Sequence, residues 1–99
     1  MANKQNIRHR AFVARQAQKQ GMWCIYCRQK MVIRAKTHGR NPPDNMATKD
    51  HIVPKARGGR NEISNFLVCC NKCNRDRSDL PADLFVIFKI WLREGKPEL

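Results

Sequence analysis

Four of the five cysteines fall into two pairs with C-x2-C spacing, Cys24 with Cys27 and Cys70 with Cys73. No other feature constrains the fold as strongly. A chain of 99 residues is one small domain with little apolar surface to bury, and a domain of that size depends on an added staple. The opening run Met1-Ala2-Asn3-Lys4-Gln5 has no apolar stretch behind its charges, so no secretory signal is expected. The thiols are therefore expected to be reduced, in a cytoplasmic setting. Two C-x2-C loops in a reduced chain suit one tetrahedral structural Zn2+, because each short loop turns both sulfurs toward one point and zinc favours thiolate over thiol. A disulfide, or a set of unconnected buried thiols, is the alternative. Cys69 alternates with Cys70 along Phe66-Leu67-Val68-Cys69-Cys70, so on a strand it points to the opposite face and acts as a small core hydrophobe.

The formal charge is +12, and its distribution is uneven. Residues 1 to 43 carry ten basic side chains and no acidic one, while all eight acids lie at or after Asp44. A basic half-chain of this kind fits a polyanion with phosphates in a regular row, each neutralised phosphate releasing counterions. Duplex DNA is the expected partner, and a membrane surface is not.

Residues 4 to 20 lack Gly and Pro, are rich in Ala, Gln, Arg and Lys, and stop at Gly21. They read as one basic helix with a thin apolar stripe of Ile7, Ala11 and Ala14, and with Lys4, Arg8 and Arg15 spread over a surface that orders fully on DNA. Met22 to Ile33 reads as a small hairpin or knuckle ribbon around the first cysteine pair. Thr37 to Asn45, with Gly39, Pro42 and Pro43, is a loop. Ala47 to Val53 reads as a strand, Lys55 to Asn61 with its Gly58-Gly59 pair as an exposed turn, and Phe66 to Cys70 as a second strand. A short helix from Asn71 carries Asn74 and Arg77. Ala82 to Glu94, between Pro81 and Gly95, is apolar nearly all round. At 13 residues it is too short for a bilayer, which needs about 20, so it is a buried helix or a docking surface for a second copy or a protein partner.

The chemistry sits in the run Asp50-His51-Ile52-Val53-Pro54-Lys55-Ala56-Arg57-Gly58-Gly59, then Asn65, then Cys70-Asn71-Lys72-Cys73-Asn74. An acid and an imidazole stand side by side at a strand end, and an oxygen donor returns beside a cysteine knuckle. In this order and spacing the motifs resemble the HNH endonuclease family over about Cys24 to Ser78, in particular the small free-standing enzymes of phages, mobile elements and restriction systems. The resemblance implies an α+β fold: a ββα-metal (His-Me finger) module stapled by a structural zinc. It would be flanked by the N-terminal basic helix and the C-terminal apolar helix. The chain then divides into an arm (1–21), a core (22–80) and a C-terminal helix (81–99) of one domain.

The resemblance also implies roles. His51 would be the general base, Asp50 and Asn74 the protein ligands of one catalytic divalent ion, and Asn65 the residue that bonds backbone across the loop and fixes the base. Cleavage would leave a 5′ phosphate and a 3′ hydroxyl. Two oxygen donors suit Mg2+ or Mn2+ better than a second zinc. Lys55, Arg57 and Arg60 on the loop, with Arg75 and Arg77 on the helix, are candidate phosphate contacts, Arg77 standing where the family often carries Lys. One tension is built in: neighbours on a regular strand point to opposite faces, so Asp50 and His51 serve one phosphate only at a strand end or a strong twist. His9 and His38 receive no role. The competing readings are a non-catalytic zinc-stapled DNA-binding module and an RNA-binding zinc protein.

Overall fold

A computed structural model describes residues 4–35, 38–78 and 80–94. The fold is small and α+β, with helix α1 (Lys4–Lys19), strand β1 (Ala47–His51), strand β2 (Phe66–Cys70), helix α2 (Asn71–Arg77) and helix α3 (Ala82–Arg93). Gly95, expected to end α3, and Thr37, expected to open the loop, lie outside the described residues.

Helix α1 ends in a Schellman closure. Gly21, at φ 67°, bonds through its N–H to the Gln18 carbonyl at 3.0 Å, and Met22 N–H reaches the Ala17 carbonyl at 2.8 Å. A positive φ at that position is inexpensive for glycine. The buried side of the helix corrects the expected stripe. His9 and Ala17 are buried with Phe12, Val13 and Gln16 packed beside them, while Ile7 is 57 % exposed. Spacing 9, 12, 13, 16 and 17 follows the helical period, and Phe12 and His9 both meet Phe66. Partners on the sheet therefore decide which stripe turns inward.

β1 and β2 pair antiparallel, with Ala47 opposite Cys70 and His51 opposite Phe66. The loop between them contains 3-10 turns at Lys55–Arg57 and Ile63–Asn65. Gly59 is packed so closely on the chain that a Cβ would stand 1.7 Å from the Val53 carbonyl oxygen. Any side chain there would force the loop open. The first cysteine pair sits in a tight turn, closed by Cys24 N–H to the Gln29 carbonyl at 2.8 Å and by a bridge of Trp23 with Lys30.

The core gathers Ala17, Cys24, Tyr26, Val68, Cys69 and Phe85 around the cysteines. Cys69 is fully buried, and burial pushes its thiol well above the ordinary range. Of α3 only Phe85 is buried, set edge-on to Tyr26 at 4.8 Å. Leu84, Ile87 and Phe88 are 56 %, 63 % and 46 % exposed, which overturns the buried-helix expectation. A core this small covers one side of a helix only. No described helix is long and apolar enough to cross a membrane.

Candidate active site and zinc centre

The four sulfurs of Cys24, Cys27, Cys70 and Cys73 lie within 4.8 Å of one another. Tetrahedral zinc with Zn–S bonds of about 2.3 Å requires sulfur separations of about 3.8 Å, and the Cys27 and Cys70 sulfurs already stand 3.8 Å apart. Backbone N–H groups are aimed at the sulfurs: Tyr26 and Cys70 donate to Cys24 Sγ at 3.4 and 3.3 Å, and Cys73 donates to Cys70 Sγ at 3.4 Å. Such donors favour thiolate. Sulfhydryl bonds from Cys70 and Cys73 hold Cys24 far below the usual thiol range, and the same sharing pushes Cys70 up to about 11 and Cys73 higher. Distance and donor chemistry fit a structural Zn2+ that ties the first turn to the β2–α2 junction.

Asp50 is 5 % exposed, and its Oδ2 accepts from Tyr26 OH at 2.8 Å and from Arg77 Nη1 at 2.5 Å. Burial, then the Asp50 contact, raises the Tyr26 phenol above its usual range. Arg77 is fully buried and spends its remaining donors on the carbonyls of Leu80, His51 and Ile52. This corrects its expected role: a guanidinium with no exposure contacts no DNA phosphate, and Arg77 instead fixes the end of β1. Asn74, one turn earlier on α2, donates through Nδ2 to Thr48 Oγ1 at 3.1 Å and to the Lys49 carbonyl at 2.9 Å. Thr48 and Asp50 share a strand face, so Asp50 and Asn74 both stand on the side covered by α2. A carboxylate and an amide oxygen fit a hard divalent cation in donor chemistry. Any such ion would share the Asp50 carboxylate with Arg77.

His51 is the last residue of β1 and stays on the opposite face, with Lys49 and its cross-strand partner Phe66. The strand end does not rotate it toward Asp50. Its ring meets Phe66 edge-on at 5.1 Å, and its Nε2 lies 3.2 Å from Asn61 Oδ1. Burial lowers its pKa, the Asn61 bond opposes this, and the charges of Lys55 and Lys49 lower it further. Asn65 donates through Nδ2 to the carbonyls of Val53 and Arg60, and its Oδ1 accepts from Val53 N–H at 2.9 Å, closing the loop beneath the dyad.

Lys4, Arg8, Arg15, Lys55, Arg57, Arg60 and Arg75 are exposed, Arg75 with an ion pair to Asp44 at 2.6 Å. An open cleft of about 690 Å³ between α1 and the strand adds Arg10, Arg34 and Lys49 to the basic surface. Reading the sequence missed Tyr26, Lys49, Asn61 and His9. Of these only two left a signal: Lys49, two residues before His51 on a strand, and His9, four before Val13 on a helix.

No curated protein and no solved structure matches the chain. A family model described as HNH endonuclease matches residues 39–81, a stretch that holds both strands, α2, Asp50, His51, Asn65 and the second cysteine pair. Such a domain points to nuclease activity on nucleic acid. The family that the motifs resemble is thus the one whose model matches the site itself: residues 39–81, with the dyad, the Gly-Gly turn and the second knuckle, are similar to an HNH endonuclease domain.

Proposed function

We propose that the chain is a metal-dependent DNA endonuclease hydrolysing phosphodiester bonds, with arm (1–21), zinc-stapled core (22–80) and C-terminal helix (81–99) acting as one domain. The observation that carries this reading is His51: a half-buried imidazole at the strand end inside the HNH match, held toward its neutral form by burial and flanking lysines. A neutral imidazole takes a proton from water at physiological pH. In this reading His51 is the general base and Asn65 keeps the loop beneath it closed. Asp50 and Asn74 hold Mg2+ or Mn2+, which when bound supplies positive charge to the phosphate and the departing 3′ oxygen. The scissile phosphate would lie across the end of β1, with one edge toward His51 and the other toward Asp50. Lys55, Arg57, Arg60 and Arg75 beside the site, and Lys4, Arg8 and Arg15 on α1, bind neighbouring phosphates of the duplex.

One observation favours the rival reading, a non-catalytic zinc-stapled DNA-binding module. Asp50 is already neutralised by Arg77, and a carboxylate satisfied in that way needs no metal. Incubating supercoiled plasmid with the purified zinc protein in Mg2+, Mn2+ or EDTA, beside His51→Ala, separates the two. Cutting that requires both the added ion and His51 supports the enzyme. DNA retention without cutting in any metal supports the binding module.

A further inference from the structure

Four side chains from three parts of the chain form one hydrogen-bonded line. Lys49 Nζ lies 2.8 Å from His9 Nδ1 and 3.2 Å from Asn61 Oδ1, and Asn61 Oδ1 lies 3.2 Å from His51 Nε2. All four residues are buried or partly buried. Phe66 is the common floor: the rings of His9 and His51 meet it edge-on at 4.8 and 5.1 Å, and Lys49 Nζ sits 4.9 Å over its face. The ammonium gains from the ring quadrupole in that position.

The chemistry of the donors determines where every proton in the line sits. An ammonium has three donors and no lone pair, so both atoms it touches must accept. His9 Nδ1 is therefore unprotonated, and the Asn61 amide is oriented with its oxygen, not its nitrogen, toward Lys49. The flipped amide would set an NH2 group against the ammonium and lose the Lys49 bond. That same oxygen faces His51 Nε2, and an amide oxygen only accepts. His51 Nε2 must then carry a proton, and in the neutral ring this leaves Nδ1 as the nitrogen with the lone pair.

We propose that Asn61 is a positioning residue for His51, held in its orientation by Lys49, which is braced in turn by His9 of α1, so that His51 presents Nδ1 and not Nε2 as its basic nitrogen. The inference rests on the reading of His51 as general base. A base whose ring is fixed presents its lone pair without a search over orientations, and a small misplacement of a reacting group is costly in rate. The line also gives α1 a second use. Its outer face carries the arm's charges, while its inner face delivers His9 to the network.

The test reads the proton itself, independently of cleavage. The zinc-loaded full chain labelled with 15N is examined by imidazole NMR above about pH 7.5, where the rings are neutral, without added Mg2+ or Mn2+. His51 should show a protonated Nε2 with a slowly exchanging proton and an unprotonated Nδ1. Asn61→Leu should lose the protected proton and move both nitrogens toward averaged tautomer values, while Asn61→Asp, which keeps an acceptor, should retain the wild-type pattern. Lys49→Met should resemble Asn61→Leu, which covers the case in which that variant does not fold. In cleavage assays Asn61→Leu should lower kcat between about tenfold and a hundredfold with KM for DNA changed less than about twofold. A wild-type His51 protonated at Nδ1, or an Asn61→Leu protein that keeps both the protected proton and kcat, overturns the proposal. If His51→Ala cuts DNA like wild type, the endonuclease reading fails while the tautomer result still stands or falls by its own spectrum.

Discussion

Arg77 and Asp50 form a buried ion pair beneath the end of β1, with Nη1 2.5 Å from Oδ2 and side-chain exposures of 0 % and 6 %. The arginine comes from α2 and the aspartate from β1, so the pair clamps the helix onto the strand that carries His51. The guanidinium is satisfied on all sides by three backbone carbonyls besides the carboxylate. Removing it leaves an uncompensated charge and three unpaired acceptors.

Arg77→Leu should therefore destabilise the domain by about 3 to 5 kcal/mol, the usual cost of breaking a buried pair by deleting one partner. Arg75→Leu, which removes an exposed pair to Asp44, should cost at most about 1 kcal/mol. Urea denaturation of both variants checks this. Equal effects would mean that the Arg77 side chain is not buried.

Zinc removal should unfold the module. In so small a domain the free energy of metal binding is largely folding free energy, so a strong chelator should collapse the circular dichroism signal. Cys24→Ser and Cys73→Ser should do the same without chelator. Cys69→Ala, buried but outside the sulfur cluster, should still bind one zinc and fold. Cysteine variants of the cluster that melt like wild type would eliminate the zinc centre.

The arm makes a prediction about salt. Replacing Lys4, Arg8 and Arg15 together should weaken binding to every DNA sequence alike. It should reduce the slope of log affinity against log salt by about 0.9 for each phosphate that these side chains neutralise. Binding isotherms at several salt concentrations read this directly, and an unchanged slope would remove α1 from the interface.

His9 predicts how stability depends on pH. Burial, with the charge of Lys49 next, lowers its pKa below the ordinary 6.5. The unfolded chain thus binds a proton more readily than the folded one in the window just below 6.5, and stability falls as pH drops through it. The contribution is intact above that window. His9→Gln, which keeps an acceptor for Lys49 and does not titrate, should flatten this part of the profile relative to wild type. Parallel profiles for the two proteins between about pH 7 and 5 would contradict the buried neutral state.

The last helix offers a contrast between two of its apolar residues. Phe85 is 1 % exposed and Ile87 63 %. Phe85→Ala should cost about 3 to 5 kcal/mol and Ile87→Ala less than about 0.5 kcal/mol in the isolated protein. Thermal melts of both variants test the orientation of α3, and a large loss at Ile87 would mean that the helix packs the other way round.

By itself the sequence determined the parts that depend on neighbours along the chain. The C-x2-C loops bring their sulfurs together because so short a turn allows little else. The helix of Asn71–Arg77, the strand of Phe66–Cys70 and the Gly21 stop follow from local propensity and φ, and the HNH match needed only residue order. Tertiary structure alone decided what depends on contact across the chain. Periodicity in α1 suits more than one stripe, and Phe66, 57 residues after His9, selects the stripe that contains it. Arg77 looks like any basic residue of a DNA-facing helix until α2 lies over Asp50, where burial makes an ion pair the only tolerable arrangement. Strand alternation separates His51 from Asp50 before any fold exists. Only the returning loop supplies Asn61, and with it the acceptor that fixes which nitrogen of His51 bears the proton.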